Sequence, residues 1–270
     1  MTTTSELKYV VNEEGPVVAT LAGFVLTITL NRPRIKNAMD RRAFELLFDV
    51  LREASTDSEV RVVVLTGAGG DFCSGADMSG MPEGHPLTRI RHISTTAEAL
   101  HSFPKPVIAK VEGVAVGAGW NLALCCDLVV AATDARFSAI FARRGLSIDF
   151  GGAWLLPRLA GLQQAKRLAF LAEFIGADEA RDLGLVTWVK TPAEIGTFTD
   201  ELARSIALMP PVAISQSKEL LNSGVVSSFR QVLDDESRAQ TVNYGSEDAP
   251  IARRAFQEKT EPEFTGRWAQ

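Results

Sequence analysis

Cysteine, histidine and tyrosine are scarce in this chain of 270 residues, which has only three, three and two of them. Three cysteines cannot build a framework of disulfide bridges and no CxxC pair is present. We therefore interpret Cys73, Cys125 and Cys126 as buried thiols in a reducing compartment. The three histidines all lie between residues 85 and 101, without an HExxH motif or zinc-ligand spacing, so we predict no metal site.

Long apolar runs and an excess of positive charge are also missing. The uncharged stretch Gly113 to Cys126 is shorter than the ~20 residues that a membrane-spanning helix needs. The N-terminus shows no charged start followed by an apolar segment, as a signal peptide would. The net charge of −5 gives no support to nucleic-acid binding. We expect a soluble cytoplasmic protein with no nucleic-acid or membrane partner.

Several catalytic and nucleotide-binding motifs are absent as well, namely GxSxG, GxxxxGK[ST] and a complete GxGxxG. The composition is that of a globular protein, with 46% apolar and 23% charged residues, and it excludes intrinsic disorder and coiled coils. The length allows one large domain or two modest ones.

Short apolar strands that alternate with helical patterns indicate an α/β fold. We predict a hairpin (Val17–Leu21 and Val25–Leu30), a helix capped by Asp40, and buried strands at Val62–Thr66, Val107–Val111 and Leu128–Ala132. The second glycine-rich segment, Gly113 to Gly119, reads as a turn into a helix that ends at Asp127.

After Gly151 the sequence predicts helices almost throughout, over residues 152–160, 162–174, 178–184, 194–208, 211–222, 226–244 and 247–258. A shift in composition near residue 200 divides the chain into a core of residues 1–200 and a helical C-terminal region of residues 201–270. We expect the C-terminal region to pack against a neighbouring subunit.

Two glycine-rich turns, each following a buried strand, are the most informative chemical feature. They run from Thr66 to Met78 and from Val114 to Asn121. Glycine lets the main chain approach a ligand closely, and the N–H groups at a helix N-terminus point outward without partners. Two such turns that face one another can hold a developing oxyanion without a charged side chain. Alternatively, the glycines only make tight turns and close helix–strand contacts.

These turns contribute to a family resemblance that covers almost the whole chain. Together with Asn31-Arg32-Pro33, Asn37-Ala38-Met39, residues 105–109, residues 151–158 and residues 256–264, they make the chain resemble the enoyl-CoA hydratase/isomerase (crotonase) superfamily. The resemblance implies a crotonase-type ββα spiral core with a helical C-terminal oligomerisation region. It also implies an acyl-CoA thioester substrate without a separate cofactor, and a homotrimer or dimer of trimers.

The same resemblance implies the residues of the site. An oxyanion hole falls on the main-chain N–H groups of Ala76 and Ala118, which would hold the thioester oxygen and stabilise an enolate. Lys259 matches a basic position that reaches a CoA phosphate, although a solvated surface lysine is an open alternative. Asp77 resembles a structural aspartate of the family. The segments expected to bind CoA comprise Lys36, Asn37, Ala38, Gly75, Asp77 and Met78.

The chain departs from the hydratases of this superfamily at both catalytic glutamates. Asn121 and Phe141 occupy those positions, and neither side chain can shuttle a proton. The remaining acid is Asp149, which matches an aspartate of the ring-epoxide and dienoyl-CoA isomerases. A helix that begins at Gly151-Gly152 would stabilise its carboxylate, while an apolar pocket would raise its pKa. We expect an enoyl-CoA isomerase of the ring-epoxide branch, with Asp149 as the proton shuttle.

Three alternatives remain open at this point. Asp149 would also suit the N-cap of the following helix, where it would be structural. The chain could instead be a hydratase that uses Asp149 or Glu83 in an unusual way. It could also be an acyl-CoA-binding homologue without catalytic activity.

Overall fold

The structure is a computed structural model that describes residues 14–79 and 84–269. Glu83, named above as an alternative acid, lies outside the described residues. None of the helices in the described part of the chain is both long and apolar enough to cross a membrane. The cytoplasmic location stays a prediction.

In the described part of the chain, nine strands form two sheets. In chain order they are β1 (Val17–Ala22), β2 (Val25–Leu30), β3 (Val62–Gly67), β4 (Val107–Val111), β5 (Val114–Val116), β6 (Leu128–Ala132), β7 (Arg136–Ser138), β8 (Ile175–Gly176) and β9 (Trp188–Lys190). The large sheet has the order β1-β2-β3-β4-β6-β9 and the small sheet has the order β5-β7-β8. The pair β1–β2 is an antiparallel hairpin, as predicted, and the other neighbours in the large sheet are parallel.

The central strands β3, β4 and β6 of the large sheet are almost entirely buried, and ten α-helices accompany the sheets in the described residues. The helices are α1 (Arg41–Thr56), α2 (Pro86–His101), α3 (Ala118–Leu124), α4 (Gly152–Ala160), α5 (Leu162–Leu171), α6 (Ala177–Asp182), α7 (Ile195–Ala207), α8 (Pro211–Gly224), α9 (Phe229–Tyr244) and α10 (Asp248–Glu258). Asp40 caps α1 by accepting a 2.8 Å hydrogen bond from the Ala43 N–H, as its position predicts. Residues 62–66 are buried throughout, as expected of a parallel strand covered on both faces. The α/β prediction is confirmed.

The strands β8 and β9 lie in the gaps between the helices predicted after Gly151, and the sequence analysis did not predict them. Strand β9 pairs in parallel with β6, and its three residues are too few to show a strand period in the sequence. The predicted turn before α3 contains the short strand β5, and α3 ends at Leu124 rather than at Asp127. The Asp127 carboxylate instead accepts hydrogen bonds from the Val107 N–H and from the Lys218 ammonium, both at 2.7 Å.

The chain passes repeatedly from the large sheet to the small sheet and then into a helix. Strands β4 and β5 lead into α3, and β6 and β7 lead towards α4. The segment after β3 follows the same course, since the Phe72 N–H donates to the Glu112 carbonyl (2.8 Å) and the Cys73 N–H donates to the Val114 carbonyl (2.9 Å). This pairing lays the first glycine-rich turn beside the second.

The C-terminal helices follow the core without an interruption at residue 200, which lies inside α7. Ala203 and Ala207 of that helix belong to the buried core. The division of the chain at residue 200 stays a prediction. Beyond α7, the helices α8 and α9 and the turn between them expose large apolar side chains: Leu221, Val225, Val226, Phe229 and Leu233.

Candidate active site

The two glycine-rich turns lie in direct contact at Gly75. A Cβ atom at this position would lie 2.8 Å from the Val116 carbonyl oxygen and 3.6 Å from the Ala118 nitrogen. The φ of Gly75 is +98°, a conformation that side-chain-bearing residues rarely adopt. Only glycine therefore allows the first turn to approach the start of α3 this closely.

Each turn offers a main-chain N–H group beside this contact. The parallel bridge between Met39 and Ala76 uses the N–H groups of Met39 and Asp77 and leaves that of Ala76 without a partner among the described residues. Ala118 is the first residue of α3, and its N–H also lacks a partner in the described ranges. Two adjacent free amide donors, one of them at a helix N-terminus, suit an oxygen that gains negative charge.

Asp77 follows directly after Ala76 and is held by its neighbours. Its carboxylate lies 3.0 Å from the Arg32 guanidinium and accepts two hydrogen bonds from Ser79. The Ser79 hydrogen bonds, followed by the contact with Arg32, lower the pKa of Asp77 below its usual value. Arg32 also pairs with Asp40 at 3.1 Å and donates to the Ala38 carbonyl at 2.6 Å. These contacts suit a brace for the first turn rather than an acid that exchanges protons.

The segment of residues 36–38 packs against the first glycine-rich turn and stabilises it. The Asn37 side chain is buried and entirely used in the fold, because it accepts from the Arg32 N–H and donates to the carbonyls of Ala68 and Asp71. Lys36 is exposed, and its ammonium lies 3.4 Å from the Asp71 carboxylate. Any contact of Asn37 with a ligand would therefore use its main chain.

The two remaining candidates for CoA binding are exposed. Met78 lies on the surface at the end of the first turn. Lys259 follows the last residue of α10 with a φ of +55°, and its N–H caps the helix by donating to the Ala255 carbonyl. Within the described residues, no hydrogen bond or ion pair joins Lys259 to either glycine-rich turn, and its CoA-binding role stays a prediction.

Asp149 is half-buried in the segment between β7 and α4. Its Oδ1 atom is inaccessible and has no partner in the described part of the chain. Burial raises the pKa of Asp149 to about 6. The alternative that Asp149 caps α4 is wrong, because Gly151 is the N-cap residue and no side chain caps this helix. The Oδ1 atom is thus not used to cap the helix, and only a hydrogen bond with the backbone of Asp149 itself opposes the effect of burial on the pKa.

The turn that carries Asp149 has an unusual backbone. Phe150 has a φ of +48° and Gly151 a φ of +78°, so two consecutive residues adopt left-handed conformations. A bulky residue in this region costs about 1–3 kcal/mol and persists only where the surrounding structure fixes it. Burial of the Phe150 ring, 5.7 Å from the ring of Phe44, supplies that restraint. The strained turn lies directly between Asp149 and the start of α4.

The two residues at the glutamate positions pack around the same region. Asn121 is 1% exposed, and its Nδ2 donates a 2.8 Å hydrogen bond to the Asp149 carbonyl oxygen. Phe141 is buried with its ring about 4 Å from the Cβ position of Gly117. The sequence analysis missed the link from Asn121 to the Asp149 turn, and the only signal for it was an amide at 121 combined with the pair Gly151-Gly152.

No cluster of three or more potential metal ligands occurs among residues 14–79 and 84–269. The prediction that the site uses no metal is not tested by this observation. The candidate acid–base group of the site is the Asp149 carboxyl, and the N–H groups of Ala76 and Ala118 are its candidate hydrogen-bond donors.

Comparisons with known proteins agree with this architecture. The family model described as enoyl-CoA hydratase/isomerase matches residues 20–267. The chain is 35% identical to 1,2-epoxyphenylacetyl-CoA isomerase from Escherichia coli, over 90% of this chain and 95% of that protein. It is 37% identical to a short-chain-enoyl-CoA hydratase from Clostridium acetobutylicum, over 92% and 96% of the two chains.

A solved structure is similar over the same length. The crystal structure of an enoyl-CoA hydratase from Bacillus anthracis matches with a TM-score of 0.90 and 32% identity, covering 94% of this chain and 100% of that one. The crotonase-type fold expected from the resemblance is thereby confirmed. The chain belongs to the enoyl-CoA hydratase/isomerase family.

Proposed function

We propose that this protein is an enoyl-CoA isomerase in which Asp149 moves a proton between two carbons of the acyl chain. The single observation that carries the proposal is the half-buried Asp149 carboxyl, whose Oδ1 has no partner among the described residues and whose pKa burial raises to about 6. At neutral pH such a group is about 90% ionised, yet it is a stronger base than a solvated aspartate.

In the proposed reaction the N–H groups of Ala76 and Ala118 donate to the thioester oxygen of a 3-enoyl-CoA. The Asp149 carboxylate removes a proton from C2, and the electron pair of that C–H bond delocalises into a dienolate whose charge rests on the thioester oxygen. The protonated Asp149 then returns the proton to C4, which gives the 2-enoyl-CoA. No water is added and no cofactor is consumed. The isomerisation therefore requires only the substrate and the Asp149 carboxyl group, which ends the reaction in the state in which it began.

Asn121 and Phe141 support an isomerase over a hydratase. Hydration requires a positioned water and groups that deprotonate it, and an amide and a phenyl ring do neither. The relatives include proteins with both names, so hydration of crotonyl-CoA is the natural comparison assay. We expect it to be slow or absent, measured as loss of the enoyl-thioester absorbance.

The test of the proposal is Asp149→Asn, which keeps the size of the side chain and removes the base. Positioned acid–base groups contribute ~10²–10⁴-fold. Solvent-deuterium exchange into a bound 3-enoyl-CoA is expected to fall by a factor in that range, while the Kd for the CoA ester stays the same. An unchanged exchange rate would remove Asp149 from the mechanism. Saturable binding without exchange in the wild type would favour the non-catalytic acyl-CoA-binding homologue.

We also propose assembly into a homotrimer or a dimer of trimers. The apolar side chains exposed on α8, α9 and the turn between them support this, because a monomer would leave them in water.

A further inference from the structure

Asn121 connects the two parts of the candidate active site through a single helix. It lies one turn after Ala118 on α3, with its N–H donating to the Gly117 carbonyl at 3.1 Å. Its side-chain Nδ2 reaches the Asp149 carbonyl oxygen at 2.8 Å. Ala118, which carries the amide donor of the second turn, and Asn121, which holds the main chain of the proposed base, are therefore only three positions apart on α3.

The contact between Asn121 and the Asp149 turn is tight. A Cβ atom on Gly152 would lie 2.4 Å from Nδ2 and 2.6 Å from Oδ1 of Asn121, so only glycine at 152 leaves room for the amide. Directly after the last residue of α3, the thiol of the C-cap residue Cys125 contacts the Phe150 carbonyl oxygen at 3.9 Å. Helix α3 thus holds the carbonyl groups of two consecutive residues in the strained turn.

The side-chain oxygen of Asn121 argues against a role in stability alone. Its Oδ1 is buried and has no partner in the described part of the chain. A buried acceptor without a donor is unfavourable for the fold. Stability alone therefore does not account for an asparagine at this position.

We infer that Asn121 is a positioning residue, which sets the Asp149 carboxylate relative to the thioester oxygen held at Ala118. This inference rests on the proposed function. The amide donates to the Asp149 carbonyl and so fixes the turn on which the carboxylate is mounted. A carboxylate at position 121 would instead face that carbonyl with a negative oxygen, and the turn would lose its tether.

The first test substitutes Asn121→Asp, which is nearly isosteric and replaces the donating NH₂ with an acceptor. A displacement of about 1 Å at a reacting group costs ~10²-fold, so we expect kcat for deuterium exchange to fall by ~10–10²-fold. KM for the 3-enoyl-CoA is expected to stay the same, since Asn121 acts through Asp149. In Gly152→Ala the new methyl group displaces the Asn121 amide. This variant is also expected to lower kcat and to leave KM unchanged.

The control is Asn243→Asp on α9, because Asn243 also has a buried Oδ1 without a partner among the described residues. It is expected to leave kcat unchanged. If Asn121→Asp fails to fold by circular dichroism, Asn121→Ala removes the same donor without adding charge and is measured in its place.

A double-mutant comparison separates positioning from a general structural role. In the Asp149→Asn background, Asn121→Asp is expected to cause no further loss of exchange, because the group that it positions is gone. Losses that multiply would overturn the inference, and so would a raised KM with unchanged kcat. If Asp149→Asn lowers exchange while Asn121→Asp does not, only this inference fails. If Asp149→Asn itself has no effect, the proposed function fails first.

Discussion

A single methyl group at Gly75 is expected to disable the paired turns. In Gly75→Ala, the new Cβ would lie 2.8 Å from the Val116 carbonyl oxygen and 3.6 Å from the Ala118 nitrogen. A main-chain carbonyl in a paired strand cannot rotate away as a flexible side chain can. The φ of +98° adds about 1–2 kcal/mol of backbone strain for an L-residue. Relief of the clash therefore moves the turn that carries Ala76 away from the start of α3.

The catalytic consequence follows from the geometry of the two amide donors. Removing one donor from an oxyanion hole costs about 10²–10³ in kcat. We expect a loss of this size for the isomerisation of a 3-enoyl-CoA, measured by the appearance of the conjugated 2-enoyl thioester absorbance. The loss is expected in kcat more than in KM, because the donors act most strongly on the charged oxygen of the transition state.

Gly145→Ala is the matched control for this experiment. Gly145 also has a positive φ, +67°, but a Cβ there meets nothing within 4 Å. The Gly145→Ala variant has the backbone strain of an L-residue at positive φ but no steric clash. Its melting temperature should therefore fall, while its kcat is retained. A Gly75→Ala enzyme with the kcat of the wild type would refute the reasoning, since it would show that contact of the two turns is not needed.

The remaining predictions concern ionisation, bracing and assembly. Because the ionised Asp149 is the base and burial raises its pKa to about 6, the exchange rate should rise with pH and reach half its plateau near pH 6; a flat profile would contradict this. The same raised pKa means that the folded state binds the proton more tightly than the unfolded state, so stability is lost as pH rises from about 4 to 6. Asp149→Asn should therefore stabilise the protein by about 1–2 kcal/mol above that range, since solvent screens the half-buried carboxyl, and little below it, as measured by urea unfolding. Arg32→Lys should destabilise the fold by about 1–3 kcal/mol and lower kcat, because one ammonium cannot serve Asp40, Asp77 and the Ala38 carbonyl together; unchanged unfolding midpoints would contradict the brace. Light scattering should give three or six times the mass of one chain, and a monodisperse monomer would exclude the proposed assembly.

Local patterns in the sequence were sufficient to predict much of the scaffold. The hairpin, the Asp40 cap and the three buried strands each depend on short-range features such as β-branched runs, capping chemistry and apolar periodicity. The strands β5 and β9 were missed because each has three residues and owes its conformation to a distant partner. Val114 pairs with Arg136, and Trp188 pairs with Val130, neither of which a local window contains.

The candidate site was predictable as a set of residues but not as an arrangement. The family resemblance singled out Ala76, Ala118 and Asp149 without indicating how they are held. The rejection of Asp149 as an N-cap required the position at which α4 begins, with Gly151 as its N-cap residue. The φ of +48° at Phe150 is likewise one that no propensity would predict for an aromatic residue. The tether from Asn121 likewise depends on a long-range contact with Gly152.

The pairing of the first turn with strand β5 also has a consequence for how the protein acquires its activity. Ala76 and Ala118 are separated by about forty residues, and the bridge between Cys73 and Ala115 joins their segments. Closing a loop of that length costs about 3 kcal/mol of chain entropy, which is recovered only when β3, β4 and β5 are all in place. A partly folded chain would therefore lack the proposed oxyanion hole, and the proposed enolate could form only once the whole site is complete.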